Sequence, residues 1–162
     1  MTQPSPPGAR WKPLVVCSSD DMARRLLSAL ADLGFADAPL LTEYPSPGSM
    51  EAVGARYAAN ICFLEMTGDQ ERALLLISEA APIMAVVPLN PQSDAEMMLR
   101  ALRRGAADFV SDLSAAQVRQ SSTGCRRERR RRNWNRRASS APFFPASPAP
   151  APARWLFSWR AR

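Results

Sequence analysis

The chain alternates short apolar segments with amphipathic ones from Leu14 to about Gln120. The apolar segments are four to six residues long and are bounded by turn-forming residues, which is typical of buried strands. The segments between them carry apolar residues at helical spacing. Strands that alternate with helices require right-handed crossovers and a mainly parallel sheet covered by helices on both faces. The sequence therefore predicts one α/β domain.

Turn and capping residues set the boundaries of the predicted elements. The five strands are predicted at Leu14–Cys17, Pro39–Tyr44, Ile61–Met66, Ile83–Val87 and Ala107–Val110. The first four helices are expected to begin at Asp20, Ser46-Pro47, Thr67-Gly68-Asp69-Gln70 and the capping box Ser93-Asp94-Ala95-Glu96, and the fifth covers 113–120. Pro88 is expected to end the fourth strand. Met98, Leu99 and Leu102 are expected to form the apolar face of the fourth helix.

The positive charge of the chain is confined to its last quarter. Residues 1–120 carry ten Lys and Arg against fourteen Asp and Glu, whereas residues 121–162 carry eleven Arg and one Glu. Eight of those arginines lie within residues 126–137, and residues 141–153 are rich in Pro and Ala. This composition predicts a disordered tail at residues 121–162. Residues 1–12 are predicted to be a disordered leader, which leaves the folded domain at residues 13–120.

The chain contains no histidine, and this limits its chemistry. Nucleophilic Ser-His or Cys-His pairs are excluded, and the commonest metal ligand is missing. The three cysteines, Cys17, Cys62 and Cys125, have no metal-ligand spacing. We therefore expect reduced thiols in a cytoplasmic protein that holds no metal and no cofactor. No apolar run is long enough to span a bilayer.

Three short motifs resemble the receiver domain of two-component response regulators. Gly105-Ala106-Ala107-Asp108-Phe109-Val110 is similar to the family's segment at strand five, Ala81-Pro82-Ile83-Met84 to its entry into strand four, and Asn60–Met66 to its strand three. The motifs occur in the family's order and at its distances. The resemblance implies a flavodoxin-like, receiver-type fold with a five-stranded parallel sheet in the order 2-1-3-4-5.

The residues that perform phosphoryl transfer in that family are replaced in this chain. The resemblance places the phospho-acceptor at Glu65, the acidic pair after strand one at Ser18 and Ser19, the strand-four hydroxyl at Val87, and the lysine after strand five at Asp112. A magnesium ion needs several oxygen ligands with negative charge. Valine cannot donate a hydrogen bond, and an aspartate would repel a phosphoryl group. We therefore expect a receiver-like domain that is not phosphorylated and is not an enzyme.

The carboxylates near this position have two interpretations each. Glu65 is either a fixed negative charge that resembles a phosphorylated aspartate or a solvated carboxylate at a strand end, and the second is the expectation. Asp20 and Asp21 are either weak cation ligands or helix-capping residues, and the second is again the expectation.

A receiver-like domain without chemistry would act through its surface. The resemblance points to the face formed by helix four, strand five and helix five, which would bind a protein partner or a second copy of the chain. The candidate interface residues are Met97, Arg100, Arg103, Arg104 and Asp108, with Met97 expected to be exposed. The alternative is an ordinary solvated basic helix end.

The degenerate receiver resembles the N-terminal domain of pilus-assembly localisation ATPases of the CpaE/TadZ type, in which a MinD-like P-loop ATPase follows. No Walker A motif is present in this chain. A one-base shift of the reading frame over residues 145–155 can nevertheless encode Gly-Lys-Pro-Gly-Ser-Gly-Ala-Ser-Thr-Leu, which is similar to the modified Walker A loop. Residues 121–162 are therefore either a genuine tail or the out-of-frame part of a truncated ATPase.

The sequence leaves four functions open. The preferred one is protein–protein interaction in signal transduction or in pilus and secretion-system localisation. One alternative is nucleic-acid binding by the tail, whose arginines would neutralise phosphates and whose aromatic residues would stack on bases. Another is attachment of the tail to an anionic membrane through Trp155, Leu156, Phe157 and Trp159. The last is an active phospho-receiver that uses Glu65.

Overall fold

A computed structural model describes residues 11–92 and 94–122 of the chain. The strands are β1 (Pro13–Val16), β2 (Leu40–Leu41), β3 (Ile61–Glu65) and β4 (Ala85–Leu89). The helices are α1 (Asp20–Asp32), α2 (Met50–Tyr57), α3 (Gln70–Ala80), α4 (Ala95–Arg103) and α5 (residues 115–122). Cys125, the tail beyond residue 122 and most of the leader lie outside the described residues.

The sheet has the predicted parallel topology. β1 pairs with both β2 and β3, and β3 pairs with β4, all in parallel, so the strand order is β2-β1-β3-β4. At the fifth position the chain meets β4 through a bridge between Val110 and Leu89. The predicted fifth strand is thus present as one bridge beside β4 and not as a regular strand.

Pro88 lies inside β4, so the prediction that it ends the strand is wrong. The backbone N–H groups of Ala107 and Val110 donate to the carbonyls of Val86 and Pro88 at 2.8 and 2.9 Å. This side of β4 therefore faces the fifth segment. Because proline has no N–H to donate in return, the ladder on this side is broken. The missing donor explains why the fifth segment is not a full strand.

The core consists of two layers, one on each face of the sheet. Alternate strand residues point to opposite faces, so that Leu14 and Val16 pack with α2, α3 and α4, whereas Val15 and Phe63 pack with α1 and α5. All four of these side chains have no exposed surface. Burial on both faces explains why the strands are continuously apolar rather than alternating.

The helix starts differ from the predicted ones by one to four residues. The N-cap of α1 is Ser19 and not Asp20, and its hydroxyl accepts a bond from the Met22 N–H at 3.5 Å. The N-cap of α4 is Asp94, whose carboxylate accepts bonds from two backbone N–H groups. α2 begins at Met50, one turn after the predicted Ser46-Pro47. In α1 and α4 the capping side chain therefore belongs to a residue next to the expected one, Ser19 in α1 and Asp94 in α4.

Candidate functional site

Three segments bring polar side chains together at the carboxyl edge of the sheet. Glu65 is the last residue of β3, Ser18 and Ser19 follow β1, and Thr67 lies in the turn that leads to α3. Parallel strands end at the same edge, so these residues meet although they are 47 positions apart in the chain.

The carboxylate of Glu65 accepts hydrogen bonds from four donors. Its Oε2 atom accepts from the Ser18 N–H at 2.6 Å, from the Ser18 hydroxyl at 2.9 Å and from the Ser19 N–H at 3.1 Å. Its Oε1 atom accepts from the hydroxyl of Thr67. Glu65 is 2% exposed, so the expectation of a solvated carboxylate is wrong. The residue is a buried and internally bonded anion.

Burial and hydrogen bonding change the pKa of Glu65 in opposite directions. Burial disfavours the charged form, but the hydrogen bonds from Thr67, Ser19 and Ser18 outweigh it, so the pKa of Glu65 lies below its usual range. Glu65 is therefore ionised at neutral pH. The hydroxyl and amide groups that donate to its oxygens stabilise the charged form.

Asp20 and Asp21 lie in the first turn of α1. Both side chains are exposed, and negative charge at this position favours the helix dipole. Within residues 11–92 and 94–122, no group of three or more His, Cys, Asp or Glu side chains could hold a metal ion.

The end of β4 differs from its predicted place. Val87 is paired with Phe63, two positions before the strand ends, and has no exposed surface. The β4 residue paired with Glu65 is Leu89. Asn90 follows and is 2% exposed, with its Oδ1 accepting from the Gln92 N–H at 3.0 Å. Neither Val87 nor Leu89 can donate a side-chain hydrogen bond to a phosphoryl group.

Asp112 makes its hydrogen bonds with the start of α5. Its carboxylate accepts from the Ser114 N–H at 3.2 Å, and its own N–H donates to Gln117 Oε1 at 2.6 Å. The side chain is exposed. An exposed carboxylate here offers no cationic group to a ligand at this edge.

Sequence reasoning missed two participants in the site. Thr67 appears in the sequence only as part of a helix start, and its position two residues after Glu65 is the signal that could have identified it. Tyr44 was assigned to strand two, but its hydroxyl donates to the Glu65 carbonyl oxygen at 2.8 Å. Burial and the charge of Glu65 raise the pKa of Tyr44 to about 12, and burial and the same charge raise that of Cys17 to about 12.

The candidate interface on α4 is arranged differently from the prediction. Met97 is 3% exposed, so the expectation of an exposed methionine is wrong. Arg100 forms an ion pair with Glu71 of α3. Arg103 and Arg104 are exposed at the end of the helix. Asp108, which lies beyond α4, accepts a bond from the N–H of the next residue at 2.9 Å.

The exposed large apolar residues of α4 are the two leucines expected on its apolar face. Leu99 is 51% exposed and Leu102 is 41% exposed, while Met97 and Ala101 face the core. The two leucines are three positions apart and therefore share one side of the helix. None of the helices in the described part of the chain is long and apolar enough to cross a membrane.

No protein-family model matches the chain, and no curated protein matches it. Solved structures do. NtrX from Brucella abortus superposes with a TM-score of 0.61 at 22% identity, over 85% of this chain and 31% of NtrX. The isolated NtrX receiver domain superposes with a TM-score of 0.56 at 24% identity, over 70% of this chain and 98% of that domain. The chain thus spans about a third of NtrX and nearly all of its receiver domain.

A protein named for pilus assembly and a CheY-like protein also superpose. The CpaE pilus assembly protein from Burkholderia thailandensis gives a TM-score of 0.56 at 12% identity, over 70% of this chain and 99% of that chain. The CheY-like TadZ protein from Pseudomonas aeruginosa superposes with a TM-score of 0.55 at 20% identity, over 68% of this chain and 98% of that chain. At these identities the likeness concerns the fold. The predicted receiver-type fold, similar to that of CpaE and TadZ, is confirmed.

Proposed function

We propose that this chain carries a receiver-like domain that does not accept a phosphoryl group and that acts by binding a protein partner. The pathway would be signal transduction or the localisation of a pilus or secretion system. The observation that carries the proposal is the bonding of Glu65, whose two carboxylate oxygens accept from four donors while the side chain is buried.

A carboxylate that accepts a phosphoryl group must present a free oxygen to the phosphorus. To do so through Oε2, Glu65 would have to leave donors that hold this atom at 2.6 to 3.1 Å, and through Oε1 it would have to leave the Thr67 hydroxyl. A buried anion that loses its donors is destabilised. Serines at positions 18 and 19 supply no anionic ligand for a cation that would assist the transfer. The chain is therefore proposed not to be an enzyme.

Incubation with acetyl phosphate and Mg²⁺, followed by intact mass measurement, tests this proposal. The mass of the wild-type chain is expected to stay unchanged. A gain of one phosphoryl group that Glu65→Gln abolishes would overturn the proposal. A phosphorylatable receiver protein treated in parallel shows that the reagents are active.

The partner surface is proposed to include the outer side of α4. Leu99 and Leu102 expose apolar surface there, and Arg103 and Arg104 stand beside them. Exposed apolar side chains bordered by charged ones are a common feature of interaction sites. A second copy of the chain is the alternative occupant. A cytoplasmic location is proposed as well, and the free thiols of Cys17 and Cys62 support it.

Nucleic-acid binding remains a second candidate because of the charge on residues 121–162, which carry eleven Arg and one Glu. The test is a DNA-binding titration at several salt concentrations, with the full chain and with a chain that ends at residue 122. Affinity that falls steeply with salt and disappears with the tail would favour this function. The nucleotide sequence tests the out-of-frame hypothesis, because the shifted frame over residues 145–155 must then encode a Gly-rich loop.

A further inference from the structure

The segment between β2 and α2, residues 42–49, crosses the carboxyl edge of the sheet. We call this segment the strap. The Tyr44 hydroxyl donates to the Glu65 carbonyl oxygen at 2.8 Å. The Arg72 guanidinium donates through Nη2 to the carbonyls of Tyr44 and Pro45 at 2.9 and 3.2 Å. The strap is therefore tied both to the end of β3 and to α3.

A second contact fastens the other end of the strap to the same helix. The N–H of Gly48 donates to both carboxylate oxygens of Glu79 at 2.9 Å. Arg72 and Glu79 are seven residues apart, so they lie on one side of α3 about 10 Å from each other. α3 thus holds the strap at two points with side chains of opposite charge.

Tyr44 of the strap packs against the turn that follows β3, next to the site. Ser18 and Thr67 are exposed, yet Glu65 between them is 2% exposed. A Cβ atom at Gly68 would lie 3.4 Å from the Tyr44 hydroxyl oxygen, so the turn after β3 packs directly under the tyrosine. The Arg72 guanidinium lies 6.0 Å from the centre of the Tyr44 ring. The phenol ring therefore shields the backbone at the end of β3.

The two elements that flank the strap pair or bury few residues. β2 contributes two paired residues to the sheet edge, and the buried residues of α2 are Met50 and Gly54. Arg72 Nε is buried and has no hydrogen-bond partner among residues 11–92 and 94–122. A buried donor that lacks a partner costs free energy in the closed arrangement, and water can bond it once the strap lifts. Such regions open locally more readily than core strands.

We propose that the strap is a hinged cover that opens as a unit without unfolding of the sheet, and that its opening exposes Glu65 to a partner. The hinge regions are the short β2 and the start of α2. This proposal does not depend on whether the chain accepts a phosphoryl group.

Hydrogen exchange measured by mass spectrometry tests whether the strap opens separately. Tyr44→Phe keeps the ring and removes one hydrogen bond, and Arg72→Gln removes the guanidinium. Each variant is expected to speed exchange in peptides that cover the strap about five-fold, with no change in peptides from β1 and β3. Arg25→Gln, which removes an exposed arginine from α1, is the control for lost charge. It should change exchange neither in the strap peptides nor in those from β1 and β3.

Carbodiimide labelling of carboxylates with glycine ethyl ester tests whether the strap covers Glu65. Labelling of Glu65 should increase in Tyr44→Phe and Arg72→Gln relative to exposed Asp20 in the same molecule. An equal rise of exchange in strap and core peptides would overturn the proposal, because the contacts would then support only global stability. Unchanged labelling of Glu65 in a variant whose strap exchanges faster would overturn it too.

Discussion

The Oε2 atom of Glu65 lies 2.6 Å from the backbone nitrogen of Ser18 and accepts its proton. This bond ties the end of β3 to the loop after β1. Together with the hydroxyls of Ser18 and Thr67 and the N–H of Ser19, it holds a buried carboxylate in the ionised form. Four protein donors thus surround the two oxygens of this carboxylate.

Ser18→Ala should destabilise the domain. The substitution removes the hydroxyl that donates to Glu65 at 2.9 Å and leaves the backbone donor in place. A hydrogen bond to a charged acceptor contributes about 1.5–3 kcal/mol to the free energy of unfolding, which urea titration would measure. Ser28→Ala, on the exposed side of α1, is the matched control. Equal stability of the two variants would contradict the role assigned to Ser18.

Glu65 should make the stability of the domain depend on acidic pH. The pKa of Glu65 is lower in the folded chain than in the unfolded one. Its contribution is therefore fully present above the unfolded value of about 4.3 and is lost as pH falls through the folded value. Urea unfolding followed from pH 7 to pH 3 should show a steeper loss for the wild type than for Glu65→Gln. Parallel curves would mean that Glu65 does not titrate as described.

The two sides of α4 should respond differently to substitution. Leu99→Lys and Leu102→Lys change exposed residues and should leave the free energy of unfolding within about 0.5 kcal/mol of wild type. Met97→Ala removes a buried side chain and should cost about 2–5 kcal/mol. Sedimentation velocity on the lysine variants then reports whether a second copy binds this side. A large stability loss in Leu99→Lys would show that the leucine is covered.

Gly105 should tolerate alanine less well than Gly34 does. Both have positive φ, +102° and +89°, which strains any residue with a Cβ. Only at Gly105 would the added Cβ also lie 2.8 Å from the Cβ of Ala81. Gly34→Ala is expected to cost about 1 kcal/mol and Gly105→Ala about 2 kcal/mol or more, as thermal or urea unfolding would show. Equal costs would mean that Ala81 moves aside freely.

The parallel sheet follows from the sequence pattern, because strands that alternate with helices and are apolar throughout must be covered on both faces. The strand order follows from the resemblance to receiver domains, and neither source gives the details of the edge. The burial of Glu65 depends on Ser18 and Thr67, which reach it from segments distant in the chain or assigned to other roles. The pattern of neighbouring residues in the sequence does not predict such contacts.

Two errors have local causes that periodicity alone could not resolve. In α4, apolar residues occur on both sides of the helix, and packing against the sheet selects Met97 and Ala101 rather than Leu99 and Leu102. In β4, a proline was taken as a strand end, yet it is accommodated because its missing N–H faces the incomplete fifth segment.

The most direct test of the account is an NMR titration of the ¹⁵N-labelled chain with Mg²⁺ and beryllofluoride, an analogue of the phosphoryl group. The amides of Ser18 and Ser19 report on the carboxylate because both donate to Glu65 Oε2. We expect their resonances to stay in place when both ions are in large excess over the chain. Saturable shifts of these two amides that Glu65→Gln abolishes would show that Glu65 leaves its donors to bind a cation and a phosphoryl group, and would contradict it.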